Sequence, residues 1–316
     1  MLPRSTAAVG AVVREGWAVA ALLAVSSVVI GAASAVPDRW LYSVTREVGI
    51  LNFAWAAGSF RRVNKVRVGF FSFTEITDPS EHRAYNEWHM LDHMPEQFPL
   101  DGVAYGQRWV AAPACAAARA VNESPFDAVH YVTLYLMTEP VDRTLREFFE
   151  LGGDLRARGR FHQHRRSHLS GPFRFLDAGA APRVLVSPEA VPYRPHRGIY
   201  IVVEETRDRA GLDPYAAWLH AEHHPSLLAV PGVAGLWTFA TSARYREGPW
   251  DPGDRRVTVC WLDDDPLAVA ARIDAVEEAR REFDAVSHVT LAGPFETIVA
   301  GKWDWFASIQ HAGPRP

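Results

Sequence analysis

The sequence predicts an α+β protein made of two tandem βαββαβ repeats, and three observations carry that prediction. The segment "YNEWHMLDHMPEQFPLDGVA" (85–104) aligns without a gap on "YAAWLHAEHHPSLLAVPGVA" (215–234), with seven of twenty positions identical. The same order of apolar runs and amphipathic segments surrounds both copies. A Pro-rich stretch, 178–197, separates them.

Each element has its own warrant. "GFFSFTEI" (69–76) and "IYIVVEET" (199–206) are β-branched or aromatic runs and predict the first strand of each copy. The Tyr/Trp segment that follows has apolar residues three and four apart, which predicts a helix. Pro95 and Pro225 disfavour the helical region for the residue before them, so each helix is expected to end there. After the glycine come the second strands, "GVAYGQRWV" and "GVAGLWTFA". "YVTLYLM" (131–137) and "RVTVCWL" (256–262) predict the third strands, and "VDRTLREFFELGGDL" and "LAVAARIDAVEEARREF" the second helices. "LSGPFRF" (169–175) and "LAGPFET" (291–297) close the copies as fourth strands. This is the ferredoxin-like split-βαβ unit. Both helices lie on one face of such a sheet, so its other face must be buried, and the natural partner is the second copy. The expected divisions are a hydrophobic segment over 1–65, repeats over 66–177 and 198–302, a linker over 178–197 and a tail over 303–316.

Composition removes several function classes. The 316 residues are 48% apolar and 22% charged, ordinary values for a folded protein. A net charge of −4 without a basic block argues against nucleic acid as a partner. The two cysteines, Cys115 and Cys260, form no CxxC pair, and Cys260 reads as core because apolar neighbours raise a thiol's pKa. Lysine occurs only at 65 and 302, a compositional hint of a GC-rich bacterial genome. The sequence contains no Walker loop, GxGxxG after a strand, GxSxG, HExxH or kinase set, which leaves nucleotide-dependent, serine-hydrolase and zincin chemistries without residues. From Gly16 to Pro37 there is no charge, a length that spans a bilayer. "ASA" at 33–35 has the form of a signal cleavage site. Export or membrane anchoring is one reading of this segment, a peripheral helix another, and an upstream extension of a cytoplasmic protein a third. Membrane contact is expected through this segment alone, and self-association as a homodimer is left open.

The chemistry-bearing residues cluster on the first helix of each copy. Positions 85, 88 and 92 share a stripe, as do 215, 218 and 222, so Tyr85, Trp88, Tyr215 and Trp218 are expected as pocket walls. Asp92 and Glu222 complete those stripes. A carboxylate on a buried face needs a partner or a raised pKa, so each is a helix-end acid turned to solvent, a buried pair, or a cavity acid/base. His93 and His223 follow them, either as cations at a helix C-terminus or as acid/base groups on a pocket rim. His89 with His93 and His220 with His224 have i,i+4 metal-ligand spacing but lack a third ligand, and no metal or other cofactor is assigned. "FHQHRRSH" (161–168) reads as a solvated loop. Arg108 on the second strand is a candidate for orienting a carboxylate or phenolate, with a surface ion pair as the plainer alternative.

The pattern Tyr-Asn-x-Trp, His93, Pro95, Glu96 and Gly102 resembles the first-helix signature of the dimeric α+β barrel superfamily, in particular its EthD-like group. The second copy resembles it more weakly. His89 stands where tyrosine is expected, Asp101 where proline precedes the glycine, and Ser226 where the acid follows proline. The resemblance implies that the two halves pack sheet to sheet as one intramolecular barrel, with the matching histidine near a cavity. It also implies a cofactor-independent enzyme acting on a small hydrophobic, aromatic or polyketide-like molecule, by acid/base cyclisation, isomerisation or oxygenation. His93 and His223 would be the acid/base groups, Asp92 and Glu222 their orienters or alternative bases, and Tyr85, Trp88, His89, Arg108, Tyr215 and Trp218 the substrate contacts. The alternatives are a non-catalytic binding or stress-type protein and a haem-binding barrel.

Overall fold

The computed structural model describes residues 65–242 and 252–307, and the backbone of two paired strands, Tyr42–Val44 and Leu51–Phe53. Those strands belong to a separate compact unit, Met1–Val63. The uncharged stretch from Gly16 to Pro37 lies outside the described residues. Among the described helices none is long and apolar enough to cross a membrane.

Repeat one consists of β1 (Val66–Ile76), helix α1, β2 (Val103–Val110), a short helix α2 (Pro113–Ala117), β3 (Tyr131–Thr138), α3 (Val141–Ala157) and β4 (Arg165–Ala180). Repeat two follows with β5 (Gly198–Thr206), helix α4, β6 (Val233–Ala240), β7 (Arg255–Leu262), α5 (Pro266–Glu277) and β8 (Ser287–Thr297). The strand orders are β4-β1-β3-β2 and β8-β5-β7-β6, each fully antiparallel, which is the ferredoxin-like order. Two seams join the halves. β4 pairs with β6 from Arg174↔Ala240 to Ala180↔Gly235, and β2 pairs with β8 at Val110↔Glu296 and Trp109↔Thr297. The eight strands thereby close into a barrel, with a two-residue strand, Val121–Asn122, beside β8.

Strand alternation decides which side chains enter the barrel. Phe71, Phe73, Trp109 and Phe173 from repeat one meet Trp237, Phe239, Trp261 and Phe295 from repeat two, each at most 1% exposed. Phe71 and Phe239 cross the repeat boundary edge to face, with ring centroids 5.1 Å apart. The linker contributes Ala181, Val184 and Val191 to the same core, and Trp237 Nε1 donates to Pro188 O at 2.8 Å. The barrel is therefore filled, and space for a ligand must be sought on the helix side of the sheet. Cys260 lies there in the core of repeat two, and burial raises its thiol pKa.

Helix α1 departs from expectation at its proline. It runs as α-helix over His82–Trp88, as a π-helical turn over His89–His93, and again as α-helix over Met94–Gln97. Helix α4 repeats this with Leu212–Trp218, Leu219–His223 and His224–Ala229. Met94 N–H donates to His89 O and His224 N–H to Leu219 O, five residues back. A proline in α-register lacks a donor and clashes with the carbonyl four residues earlier; the wider turn accommodates it, so the helix continues. The extra residue also shifts the inward stripe. Tyr85 and His89 are buried, Trp88 and Asp92 only partly, and Glu222 is exposed. The predicted 85/88/92 and 215/218/222 stripes are corrected accordingly.

Phe239→Ala removes an aromatic ring from the contact between the halves and is expected to lower the unfolding free energy by about 3–5 kcal/mol. Urea unfolding measures this, and a loss below about 1 kcal/mol would show that the interior is not close-packed there.

Candidate functional site

The helix-facing side of repeat one gathers polar residues because alternation sets Arg108 opposite in sense to Trp109, and Tyr131, Thr133 and Tyr135 opposite to the barrel core. Helix α1 lays His82, Tyr85, Asn86, His89 and His93 over them. Arg108 is 1% exposed. Its Nη2 donates to Asn86 Oδ1 at 3.1 Å, and its guanidinium lies 5.1 Å from the Tyr85 ring centre and 5.6 Å from that of Tyr131. Asn86 Nδ2 donates to Tyr131 Oη at 2.8 Å, and that hydroxyl lies 2.9 Å from His82 Nδ1. His89 Nδ1 is 3.0 Å from Tyr85 Oη.

Beyond these bonds the cluster is unsatisfied. Arg108 Nε and Nη1, His89 Nε2, His93 Nδ1, Thr133 Oγ1 and Tyr135 Oη are buried and have no hydrogen-bond partner among the described residues. Leaving one such neutral group unpaired costs about 1–3 kcal/mol, and a charged one more. Natural interiors seldom hold several such groups together. The expected surface ion pair of Arg108 is replaced by a buried guanidinium whose protein partner is an amide.

The two histidines are neutral at pH 7. Burial pushes His89 well below its usual value, and the Arg108, His93 and Arg165 charges push the same way. His93 is pushed down to about 4, first by burial and then by Arg165, with Asp92 opposing. Its ring stacks on Trp88 at 4.7 Å and 19°, with Phe161 at 5.0 Å and His89 at 5.2 Å. Asp92 does not orient His93. Its Oδ1 accepts from Arg160 at 2.8 Å, and Arg160 also holds Glu96 at 2.7 Å. The stretch 161–168 is not simply solvated, because its residues form the site's edge and begin β4. Phe161 flanks His93, His162 stands edge-on to Tyr85 at 5.6 Å, and Arg165 lies 5.0 Å from the Phe161 ring and 5.9 Å from that of Trp88.

Repeat two has filled the matching space with its own side chains. Arg280, from the 3-10 turn Glu278–Phe283 after α5, places its Nη1 2.9 Å from Glu204 Oε2 and donates from it to Tyr215 Oη at 2.8 Å. Its Nε donates to Glu277 Oε2 at 2.6 Å and its Nη2 to His223 Nε2 at 2.8 Å. Tyr215 donates to Glu204, and so does Ser287 Oγ at 3.1 Å. Burial alone would raise Glu277, but Arg280 and His223 draw it down to about 2. His223 is thus 1% exposed in its side chain, with Glu277, not Glu222, beside it at 3.1 Å. Trp218 stacks on His223 at 4.9 Å. Glu222 makes no orienting contact to His223; only its backbone carbonyl is engaged, by Ser226 Oγ.

The second histidine of the α4 pair lies elsewhere. A cleft of about 340 Å³ beside the β4–β6 seam is lined by Arg174, Asp177, His220, His224, Thr238 and Arg256 among others. His220 is exposed and 3.1 Å from Asp177, whereas His224 is buried and lowered to about 3 by burial and then Arg280. Among the described residues no three His, Cys, Asp or Glu side chains converge as metal ligands.

No protein-family model and no curated protein matches the sequence. Solved structures do match. A chlorite dismutase from Candidatus Nitrospira defluvii, in complex with imidazole, is 14% identical, with 77% of this chain and 94% of that chain covered and a TM-score of 0.43. An anthrone oxidase-like protein is 11% identical over 76% of this chain and 95% of that chain, TM-score 0.44. A protein named as a monooxygenase, from Fusobacterium nucleatum, is 7% identical over 74% and 93%, TM-score 0.43. The chain's own strand order and seams make it a closed α+β barrel of two ferredoxin-like repeats. At these identities nothing of the relatives' chemistry transfers to the α+β barrel described above, and its site stands on its own residues.

The buried imidazoles set the acid response. Burial holds His82 at about 3, and His93 and His130 at about 4, all below the ordinary 6.5 of the unfolded chain. As pH falls the unfolded chain takes up protons first, so stability is expected to drop between about pH 6.5 and 4, by up to about 1.4 kcal/mol per unit for each histidine. Glu277, depressed to about 2, adds a further loss as pH falls below the ordinary carboxylate range. Urea midpoints at pH 7, 6 and 5 should show a steeper fall in the wild type than in His93→Gln. Equal slopes would mean that His93 is not buried as a neutral group.

Proposed function

We propose that repeat one is the working half of an EthD-like, cofactor-independent enzyme that acts on a small aromatic or polyketide-like molecule. The observation that carries this reading is the buried set of unpartnered polar atoms around the neutral imidazoles of His89 and His93. A substrate ring at the edge formed by Trp88 and Phe161 would be held by apolar contact. His93 Nδ1, with a free lone pair in the tautomer protonated at Nε2, is the base for an acidic C–H or phenolic O–H. Proton transfer leaves an oxyanion on the substrate and an imidazolium on the enzyme. Arg108 Nε–H and Nη1–H and the Tyr135 hydroxyl are the donors for that oxyanion, fixed before reaction and free of competing protein partners. An imidazole held near 4 is a weak base in the empty site, but the new substrate anion beside it raises its proton affinity. Cyclisation, isomerisation or oxygenation of an electron-rich ring each begins from this deprotonated species.

A non-catalytic binding protein is the second reading, and one observation favours it: His93 has no carboxylate to orient it, since Asp92 is held by Arg160. A haem would require an imidazole facing an apolar slot. His89 and His93 instead lie against each other and in the field of two guanidinium groups, so no step is routed through haem.

With a hydroxylated aromatic substrate found by screening, His93→Ala is expected to lower kcat by about 10²–10⁴-fold. His223→Gln is expected to leave turnover in place while lowering the melting temperature, since it disturbs the Arg280 network. Unchanged turnover in both His93→Ala and His89→Ala would leave the binding protein as the surviving reading.

A further inference from the structure

We infer that the molecule bound by repeat one carries an anionic oxygen group, a carboxylate or a phenolate, seated between Arg108 and Arg165. This rests on the reading that repeat one binds a small aromatic molecule, and it adds the charge that molecule must bring. Two observations carry it. First, among the described residues neither guanidinium makes an ion pair. Arg108 donates only to Asn86 Oδ1, and Arg165 makes a 3.4 Å contact to Ser167 Oγ and otherwise lies over the Trp88 and Phe161 rings. The acidic groups around α1 are engaged elsewhere: Asp92 and Glu96 by Arg160, and Glu81 by His162 at 3.2 Å. A buried guanidinium is retained in a fold when an anion completes it, and its planar fork matches a carboxylate oxygen pair.

Second, the matching space of repeat two is completed by the protein's own charges. The offset of 130 residues sets Thr74 against Glu204, Arg108 against Thr238 and His89 against Leu219. In repeat two the protein provides both signs, with the Arg280 guanidinium held by Glu204 and Glu277. In repeat one it provides the cations and no carboxylate, so the missing partner is an anion. The aromatic walls at Trp88 and Phe161 favour one whose charged group is attached to an apolar ring.

Isothermal titration and thermal melts of the full chain with benzoate and 1-naphthoate, against the matching amides, test this charge preference. The acids are expected to bind at least about tenfold more tightly than the amides, and Arg108→Gln to bring the ratio close to one. Arg108→Met, which removes an uncompensated buried charge, should melt at or above the wild-type temperature without ligand, which separates loss of binding from loss of fold. Equal responses to acid and amide, including no response to either, would overturn the assignment, as would an undiminished preference in Arg108→Gln. Loss of turnover in His93→Ala together with equal acid and amide binding would leave the acid–base reading standing and the anion assignment rejected. Anion preference with unaffected turnover would do the reverse.

Discussion

The inner face of each four-stranded sheet is apolar and cannot be left in water, and the rest of the molecule follows from how it is buried. Phe71, Phe73, Trp109 and Phe173 on one side and Trp237, Phe239, Trp261 and Phe295 on the other interlock to fill the barrel. Filling the interior fixes the rotational relation of the repeats and makes the two seams pair. It also excludes ligands from the barrel. The polar positions of the strands, which alternate with these aromatics, necessarily face the helices, and any binding site must be built there.

Given that scaffold, the two helix-facing spaces show what one architecture does with opposite electrostatics. Repeat two satisfies a buried guanidinium with Glu204, Glu277, Tyr215 and His223. Removing one partner from such a network leaves a buried charge exposed to no solvent, which is why the whole set must be retained together. Repeat one keeps Arg108 with a single amide partner and leaves both imidazoles with a free nitrogen. A fold carries such an unfavourable group where binding compensates for it, and stability is supplied elsewhere. Repeat two also keeps unpartnered buried atoms, both His224 ring nitrogens, Thr238 Oγ1 and Thr258 Oγ1, so what distinguishes the halves among the described residues is that the buried guanidinium of one is ion-paired and that of the other is not.

Much of this was legible in the sequence, for identifiable reasons. The two segments share Tyr85/Tyr215, Trp88/Trp218 and the Pro-Gly punctuation, and strand runs such as "YVTLYLM" have few alternatives, so repeat order and fold class could be read directly. Period-2 alternation also contained the site's floor, since Tyr131, Thr133 and Tyr135 share one face. The helix face was misread because a 3.6-residue period was assumed through His89–His93, where the chain takes a π-turn. That turn moved Asp92 and Glu222 away from the histidines they were expected to orient. Glu204, Glu277 and Arg280 were not singled out because each comes from a different element and none is matched in the first copy. Arg165 was assigned to a solvated loop by its charged neighbours, although it begins a strand packed under α1.

The π-turn ties the fold to the site. Proline at 95 and 225 requires a local change in helical register, and the extra residue places His93 against Trp88 and His223 against Trp218 with nearly the same stacking, 4.7 Å and 19° against 4.9 Å and 24°. The shared proline and tryptophan therefore fix the imidazole in both copies, independently of what surrounds it. What differs is the supply of partners: Arg280 reaches the Nε2 of His223, while His93 Nδ1 is left without one. The shared histidine position is tied into an ion-paired network in one half and keeps a nitrogen without a protein partner in the other, and the difference lies in residues of the elements packed against the helix.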